Sequence, residues 1–314
     1  MSVLRTVGES VLGSELSLHV LRKLARVIPG NSLLRRLCWH AGKGVRDKNK
    51  QRIVLTRKGF KLCLNLSDFT WRDLYFSGDY EPAVTSVVSR LARPGQVWWD
   101  VGANIGWFTL LLSDLVSSSG KVIAFEPGSP SFELLQSAVS YNRRQNVLAH
   151  RIALAADVGR ATFFVPDDVE QADGGHGCPS LVRQRDIASI FELSVETSTI
   201  DHFIKNGTPA PFGIKMDVEG FEAAVLRGGK MMFAQSKPAV IVSEVTHRPD
   251  TLATPQELVQ LIRDFGYLAF HVETLAAYNA HVPIDGSWSK DFVFLDGSRV
   301  DELLPMLHRN EDAF

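Results

Sequence analysis

The segment between Val97 and Gly106 carries the residues whose types and spacing point most directly to chemistry. It reads VWWDVGANIG, so an apolar strand leads into a glycine, a tight turn follows, and a second glycine begins a helix. Glycine lets the backbone bend and approach a ligand without a Cβ clash. In an open α/β sheet, such a turn lies in the nucleotide-binding crevice at the carboxyl ends of the strands.

The residues inside this turn favour a cationic ligand over a dinucleotide. A dinucleotide fingerprint reads G-x-G-x-x-G, whereas this chain has Asn104 at the middle glycine position and Asp100 before the first glycine. A pyrophosphate needs closely placed backbone N–H groups, while Asp100 suits a sulfonium and its amino-acid ammonium. The turn therefore predicts S-adenosylmethionine as the ligand. The alternative on the same fold is a nicotinamide-dependent oxidoreductase.

Glu126 lies twenty positions after Gly106, at the end of the second predicted strand. A carboxylate at this place can accept hydrogen bonds from both hydroxyls of a ribose. The alternative is a surface acid before the turn that begins at Pro127. Ala153, near the end of the third strand, is placed to flank an adenine ring. These positions predict a nucleoside-binding cleft.

Candidate catalytic residues follow the fourth and fifth predicted strands. Asp217 ends the fourth strand and Glu219 follows it, while Glu244 ends the fifth and His247 comes just after. His247 is the predicted general base because its ordinary pKa is near neutral; the alternative is a histidine in a surface loop. Asp217 and Glu244 are oxygen ligands of the kind that suits magnesium. Two acids are a weak signal, so we predict no metal ligands.

The elements that position these residues begin near residue 94, where apolar strands alternate with amphipathic helices. This rhythm is typical of a mostly parallel, doubly wound α/β sheet with helices on both faces. The predicted strands are 96–101, 121–125, 147–154, 212–216, 239–244, 267–272 and 291–295. Two further strands, 161–165 and 193–197, are predicted around a long loop at 166–190. Its glycine-rich part favours a lid over the site; the alternative is an insertion without a catalytic part.

The N-terminal region differs from the remainder in charge. Residues 1–58 hold thirteen basic and three acidic residues, a net charge of +10, so the rest of the chain carries −11 against a total of −1. An acidic body argues against nucleic-acid binding, which needs a basic footprint. Apolar residues at helical spacing over 16–28 and a hairpin over 53–64 predict a helical/β extension. Its basic helix either packs on the body or docks on an anionic membrane surface or a glycolipid.

Composition and length argue against several other classes of protein. No apolar run approaches the roughly 18 residues of a membrane-spanning helix, and the N-terminus lacks the pattern of a secretory signal. The three cysteines are far apart and odd in number, which argues against a disulfide framework or a zinc cluster and suits a reducing compartment. We expect a cytoplasmic protein, with the peripheral membrane contact left open. The expected organisation is a basic extension over residues 1–70 and a catalytic domain over 71–314.

Several separate motifs, in order, resemble the FkbM-type methyltransferases, a branch of the seven-stranded class I methyltransferases. They read GDYEP at 78–82, DVGANIG at 100–106, EP at 126–127 and IKMDVEGFE at 214–222. The resemblance covers about residues 75–295. It implies the strand order 3-2-1-4-5-7-6 with the seventh strand antiparallel. It also implies S-adenosylmethionine as donor and, commonly, hydroxyl acceptors on sugars or natural products.

The resemblance also implies which residues bind the donor, and for Glu81 it is the sole basis. The predicted donor-binding residues are Glu81, Asp100, Gly102, Ala103, Asn104, Gly106, Glu126, Pro127 and Ala153. The predicted function is O-methylation of a sugar, glycolipid or natural-product hydroxyl. A non-catalytic domain that binds a nucleoside is the alternative from another functional class.

Overall fold

A computed structural model describes residues 14–28, 32–43, 51–66, 69–166, 179–183, 190–245, 251–278 and 290–308. The first elements are the helices α1 (Glu15–Val27) and α2 (Ser32–Lys43), the hairpin strands β1 (Gln51–Leu55) and β2 (Lys61–Asn65), and the helix α3 (Phe69–Ser77). Ser14 caps α1, because its side chain accepts a hydrogen bond from the Ser17 N–H. No helix among these described residues is long and apolar enough to cross a membrane.

The body of the chain alternates strands and helices. In chain order its elements are α4 (Pro82–Leu91), β3 (Val97–Val101), α5 (Trp107–Leu115), β4 (Lys121–Phe125), α6 (Ser129–Tyr141), β5 (Val147–His150), β6 (Ala153–Leu154), β7 (Gly159–Pro166), β8 (Ile190–Ser198), α7 (Ile200–Lys205), β9 (Gly213–Met216), α8 (Glu222–Arg227), α9 (Lys230–Gln235), β10 (Val240–Val245), α10 (Pro255–Asp264), β11 (Tyr267–His271), β12 (Lys290–Asp296) and α11 (Val300–Leu307).

Seven of these strands form one sheet, in the order β11-β12-β10-β9-β3-β4-β5. Numbered along the chain, this order reads 3-2-1-4-5-7-6 from the β5 edge. The neighbours from β5 to β10 are parallel, whereas β12 is antiparallel to both β10 and β11. The strands are apolar on both sides because helices cover both faces of the sheet. The fold is therefore the mostly parallel α/β sheet of a class I methyltransferase.

Two consecutive residues of β3 show how the sheet divides the hydrophobic core. Trp98 packs with one cluster of buried residues and Trp99 with the other, because successive side chains of a strand point to opposite faces. Leu18 and Leu21 of α1 belong to the Trp98 cluster. The N-terminal extension and the sheet therefore share one hydrophobic core, and the predicted boundary at residue 70 falls within α3.

The prediction of a single third strand over 147–154 is wrong. Residues Val147–His150 form β5 at the edge of the main sheet. Ala153 and Leu154 form β6, which pairs with β8 in a separate three-stranded sheet of order β6-β8-β7. His150 and Arg151 interrupt the apolar run at this point, and β5 is an edge strand with a neighbour on one side only. The chain therefore leaves the main sheet after residue 150 and pairs elsewhere.

Candidate active site

The turn after β3 is built around Gly102, which joins three strand ends. Its φ is +80°, and a Cβ at this position would lie 1.7 Å from the backbone oxygen of Asp217. The Gly102 N–H donates to the Phe125 oxygen at the end of β4, at 3.0 Å. A side chain is excluded by both the conformation and the close approach. The glycine therefore brings the ends of β3, β4 and β9 together.

Glu126, just past the end of β4, is held by the backbone of two turns. Its Oε2 accepts from the Asn104 N–H at 2.9 Å and its Oε1 from the Gly128 N–H at 2.8 Å. Burial raises the pKa of Glu126 to about 7, although these two hydrogen bonds act to lower it. Each carboxylate oxygen has a second lone-pair site. Glu126 can therefore accept two further hydrogen bonds from the cleft that it lines.

An open cleft of about 730 Å³, which includes space continuous with solvent, lies at the carboxyl ends of β3, β4 and β9. Around one end its walls are apolar and include Ile152, Leu154 and Phe163. Asp217 and Glu219 also line it. The cleft thus combines a surface for a flat apolar ring with carboxylates that can hold hydroxyl or cationic groups.

Lys215 is buried in β9 beneath these acids. Its Nζ lies 3.1 Å from Asp217 Oδ2 and 4.7 Å from the centre of the Phe108 ring. Burial alone would lower the pKa of Lys215, but Asp217, Glu81 and Asp100 together raise it above its ordinary value. Lys215 is therefore a permanently charged ammonium that partly neutralises a strongly acidic region.

Asp100 is fully buried at the end of β3. The Thr109 hydroxyl donates to its Oδ2 at 2.5 Å. Its Oδ1 has no hydrogen-bond partner within the part of the chain that the structure describes. Burial raises the pKa of Asp100, and Asp217 raises it further. Asp100 is not among the residues that line the cleft, so its carboxylate lies behind the cleft wall and can favour a cationic ligand there through its charge.

The segment after β9 presents two acids. Ligand oxygens of Asp217, Glu219 and Glu244 all lie within 4.8 Å of one another, which adds Glu219 to the pair considered from the sequence. The backbone oxygen of Glu219 accepts from the Ser180 hydroxyl at 3.0 Å. Ser180 belongs to the described part of the predicted loop, 179–183, and residues Pro179, Ser180 and Leu181 line the cleft.

The predicted donor residues separate into those that line the cleft and those that shape it. Gly102, Asn104, Glu126, Pro127 and Ala153 line it, as does the predicted catalytic residue Asp217. Ala103 and Gly106 are placed behind the turn: the Ala103 N–H donates to the Phe125 oxygen, and a Cβ on Gly106 would meet Leu135 Cδ1 at 2.7 Å.

The other predicted residues lie around the acidic end. Glu81 precedes α4 in a left-handed conformation with φ of 42°. The pKa of Glu81 is raised, chiefly because the side chain is buried. Of the nearby charges, Lys215 lowers this pKa and Asp217 raises it. Glu244 lies near the end of β10 and pairs in register with Asp291 of β12. Burial raises the pKa of Asp291 to about 7. His247 lies outside the described residues.

Sequence reasoning missed several residues of the site. Lys215 gave a signal, since it is a lone charge in the apolar strand GIKM, but its partners come from other strands. Phe163 enters from β7, far from the nucleotide-binding turn in sequence. Ser180 belongs to the loop that the sequence predicts as a lid, but no role was predicted for this residue itself. Tyr80 of the GDYEP motif also lines the cleft, whereas Trp71 and Tyr75 are buried in the core.

Comparison with known proteins agrees with this geometry. The FkbM methyltransferase domain matches residues 100–269. The hexuronic acid methyltransferase AglP of Haloferax volcanii is 28% identical over 159 residues, which cover 50% of this chain and 59% of AglP. The 31-O-demethyl-FK506 methyltransferase FkbM of Streptomyces tacrolimicus is 30% identical over 169 residues, which cover 43% of this chain and 60% of FkbM.

The matched segments span about three fifths of the length of these two relatives. Among solved structures, a TehB-like SAM-dependent methyltransferase from Corynebacterium glutamicum is 12% identical, with 72% of this chain and 94% of that chain covered and a TM-score of 0.39. That likeness is too remote to bear on function. The family match covers more than half of the chain and includes Asp100, Glu126, Asp217, Glu219 and Glu244, and it shows that this chain belongs to the FkbM methyltransferase domain family.

Proposed function

We propose that this chain transfers a methyl group from S-adenosylmethionine to a hydroxyl oxygen of a sugar, glycolipid or natural-product acceptor. The observation that carries the proposal is the single cleft that joins Glu126 to Asp217 and Glu219. One part of it suits a nucleoside and another suits a cationic or hydroxyl-bearing group. The names of the two relatives, a hexuronic acid methyltransferase and a 31-O-demethyl-FK506 methyltransferase, support this acceptor class.

The residues fit the donor at each of its parts. Glu126 has lone pairs for both ribose hydroxyls, and the apolar side chains of Ile152, Leu154 and Phe163 suit the adenine ring. The carboxylates of Asp217 and Glu219, with the buried Asp100 behind the cleft wall, suit a positively charged amino-acid end. When bound, S-adenosylmethionine supplies a methyl group that is activated by its sulfonium.

The acidic end of the cleft can hold the acceptor. Asp217 and Glu219 line the cleft and can accept a hydrogen bond from an acceptor hydroxyl. Such contacts fix the oxygen in line with the methyl group, and alignment supplies a large part of the acceleration in this kind of displacement. A positioned base typically adds about 10²–10⁴-fold, and His247 stays the predicted base.

The proposed transfer requires no metal ion. Lys215 Nζ already places a positive charge 3.1 Å from Asp217 Oδ2, and the donor brings a sulfonium and an ammonium of its own. We therefore expect methyl transfer to continue after chelation with EDTA, measured as product formed with and without added magnesium. Loss of transfer that magnesium restores would instead assign the carboxylates of Asp217, Glu219 and Glu244 to a cation.

Isothermal titration with S-adenosylhomocysteine, with NAD as the comparison ligand, tests the donor site first. Saturable binding of S-adenosylhomocysteine alone is expected. Uronic acids, neutral sugars and lipid-linked sugars are then incubated with isotopically labelled donor, and the product mass is measured. Asp217→Asn should retain S-adenosylhomocysteine binding and reduce transfer by about 10²-fold or more. Binding of NAD alone would favour the oxidoreductase, and binding of neither ligand would favour a non-catalytic domain.

A further inference from the structure

The outer side of α1 carries an apolar stripe that none of the residues described by the structure covers. Leu16, Val20, Leu24 and Val27 follow one another at intervals of four and three residues, so they lie along one side of the helix. All four are exposed, Leu16 and Val27 by 75% and 78%. The buried Leu18 lies on the opposite side, in the core. The helix is therefore apolar on two sides, and one of them faces solvent.

The strand β1 carries two more exposed apolar residues in the same N-terminal region. Arg22 and Arg26 of α1 each donate from Nη2 to the Leu55 oxygen at 2.8 Å, so β1 runs beside the helix. Val54 of β1 is buried, whereas its neighbours Ile53 and Leu55 are exposed. We call the six exposed residues the N-terminal apolar face: Leu16, Val20, Leu24, Val27, Ile53 and Leu55. Large apolar side chains exposed together in one region of a folded chain mark an interaction site.

Positive charge surrounds the face. Lys23 of α1, Arg36 of α2 and Lys58 of the hairpin turn are exposed. Within the described residues between 14 and 66, Glu15 is the only acid in the sequence, and it is bonded to Arg52 at 2.7 Å. The net charge of residues 1–58 is +10, whereas the remainder carries −11. Because the positive charge is concentrated in the region that carries this face, an anionic partner suits it best.

We propose that the N-terminal apolar face docks on the surface of an anionic phospholipid bilayer. An apolar stripe with lysine and arginine along its borders suits the boundary between acyl chains and headgroups, where apolar burial and attraction to anionic lipids add together. A second copy of the chain is a poorer partner, because a two-fold contact would place each strongly basic region against its own like charge. This inference does not depend on the proposed function.

Vesicle flotation of the full-length chain tests the proposal. We expect flotation with phosphatidylcholine vesicles that contain about one third phosphatidylglycerol, and little with pure phosphatidylcholine. Raising the salt from about 0.1 M to about 0.5 M should weaken the binding, because exposed charges are screened. Replacing three apolar residues in Leu16→Ser, Val20→Ser and Val27→Ser together should lower the bound fraction by about 10-fold or more.

The matched control is the pair Val158→Ser and Met231→Ser, which changes side chains that are 60% and 57% exposed on the acidic body. This control should float like the parent chain, and all variants should unfold at the parent temperature. Equal flotation with neutral vesicles, an unaffected triple variant, or absence of flotation would each overturn the proposal. A dimer in lipid-free solution that the triple variant dissociates would assign the face to a second copy and overturn it too.

Discussion

Glu126 illustrates how a single carboxylate is prepared for a ligand. Its pKa of about 7 in the folded protein lies above the ordinary value of 4.5 because the side chain is buried. Ionisation of this group therefore opposes folding, and its contribution to the free energy of unfolding falls as the pH rises from about 4.5 to about 7. Under the proposed function, ribose hydroxyls donate to the ionised form, so we expect donor binding to regain part of that energy.

This coupling predicts that affinity for S-adenosylhomocysteine depends on pH near neutrality. Between about pH 8 and about pH 6 the parent affinity should fall by up to about 10-fold, because protonation removes acceptor sites from Glu126. Glu126→Gln should weaken binding at pH 8 by roughly 10- to 100-fold, the range for hydrogen bonds to a charged group. Titration calorimetry across this pH range measures both effects.

The variant supplies its own control. Glutamine cannot ionise, so the pH dependence of its affinity should be nearly flat over the same range. Asp291 and Glu222 also have pKa values raised to about 7 by burial, and they are unchanged in the variant. A pH profile of Glu126→Gln that matches the parent would assign the dependence to one of those groups instead.

At the scale of elements, the segment after β9 is shaped by Glu222 at the start of α8. Its buried Oε1 accepts from the N–H groups of Val218 and Gly220, both at 3.2 Å. Between them Glu219 adopts a φ of 56°, which is uncommon for a residue with a Cβ. The two hydrogen bonds hold this strained segment in place. Glu222 thereby keeps Asp217 and Glu219 at the edge of the cleft.

Substitution of Gly102 tests the contact between this segment and the turn after β3. Gly102→Ala should lower the free energy of unfolding by more than about 3 kcal/mol and abolish S-adenosylhomocysteine binding. The new Cβ would stand 1.7 Å from the Asp217 oxygen, so strand ends must separate in addition to the backbone strain of about 1–2 kcal/mol. Denaturant unfolding and titration calorimetry measure the two effects.

Gly207→Ala is the matched control for backbone strain alone. Gly207 has a similar φ of +87°, but a Cβ there meets no atom within 4 Å. Its substitution should cost only about 1–2 kcal/mol and leave donor affinity unchanged. If both alanine variants lose the same stability, the close approach of Gly102 to Asp217 contributes nothing, and the strand ends are held by other contacts.

At the scale of the whole molecule, the N-terminal extension is part of the catalytic body. Leu18 and Leu21 of α1 are buried in the same cluster as Trp98 of β3 and Trp107 of α5. The Arg57 N–H donates to the Gly78 oxygen at 2.8 Å, which ties the hairpin to the segment that leads into the site. One side of α1 therefore stabilises the fold, while the other side carries the N-terminal apolar face, which we propose as the docking surface.

A pair of leucines separates these two roles. Leu21→Ala removes a side chain that is 7% exposed and should lower the free energy of unfolding by about 2–5 kcal/mol. Leu16→Ala changes the opposite side of the same helix and should stay within about 0.5 kcal/mol of the parent. Thermal and denaturant unfolding compare the two. Equal stability of both variants would show that the extension folds apart from the sheet.

The sequence alone determined much of the sheet and predicted several of the residues that line the cleft. Strands buried on both faces are continuous apolar runs, so their positions are visible locally. The acid and glycines from Asp100 to Gly106 are also a local signal, because the turn that they form depends on neighbours in the chain. Glu126 and Asp217 were found for the same reason: each follows the end of a predicted strand.

The tertiary structure decided what depends on distant parts of the chain. The pairing of Lys215 with Asp217, Asp100 and Glu81 requires several elements to meet, and the division of 147–154 into two strands depends on which neighbours each half finds. The periodicity of α1 shows which residues are apolar but not which side other elements cover. Side-chain partners across a sheet are set by packing in three dimensions, and a single sequence does not contain those distances.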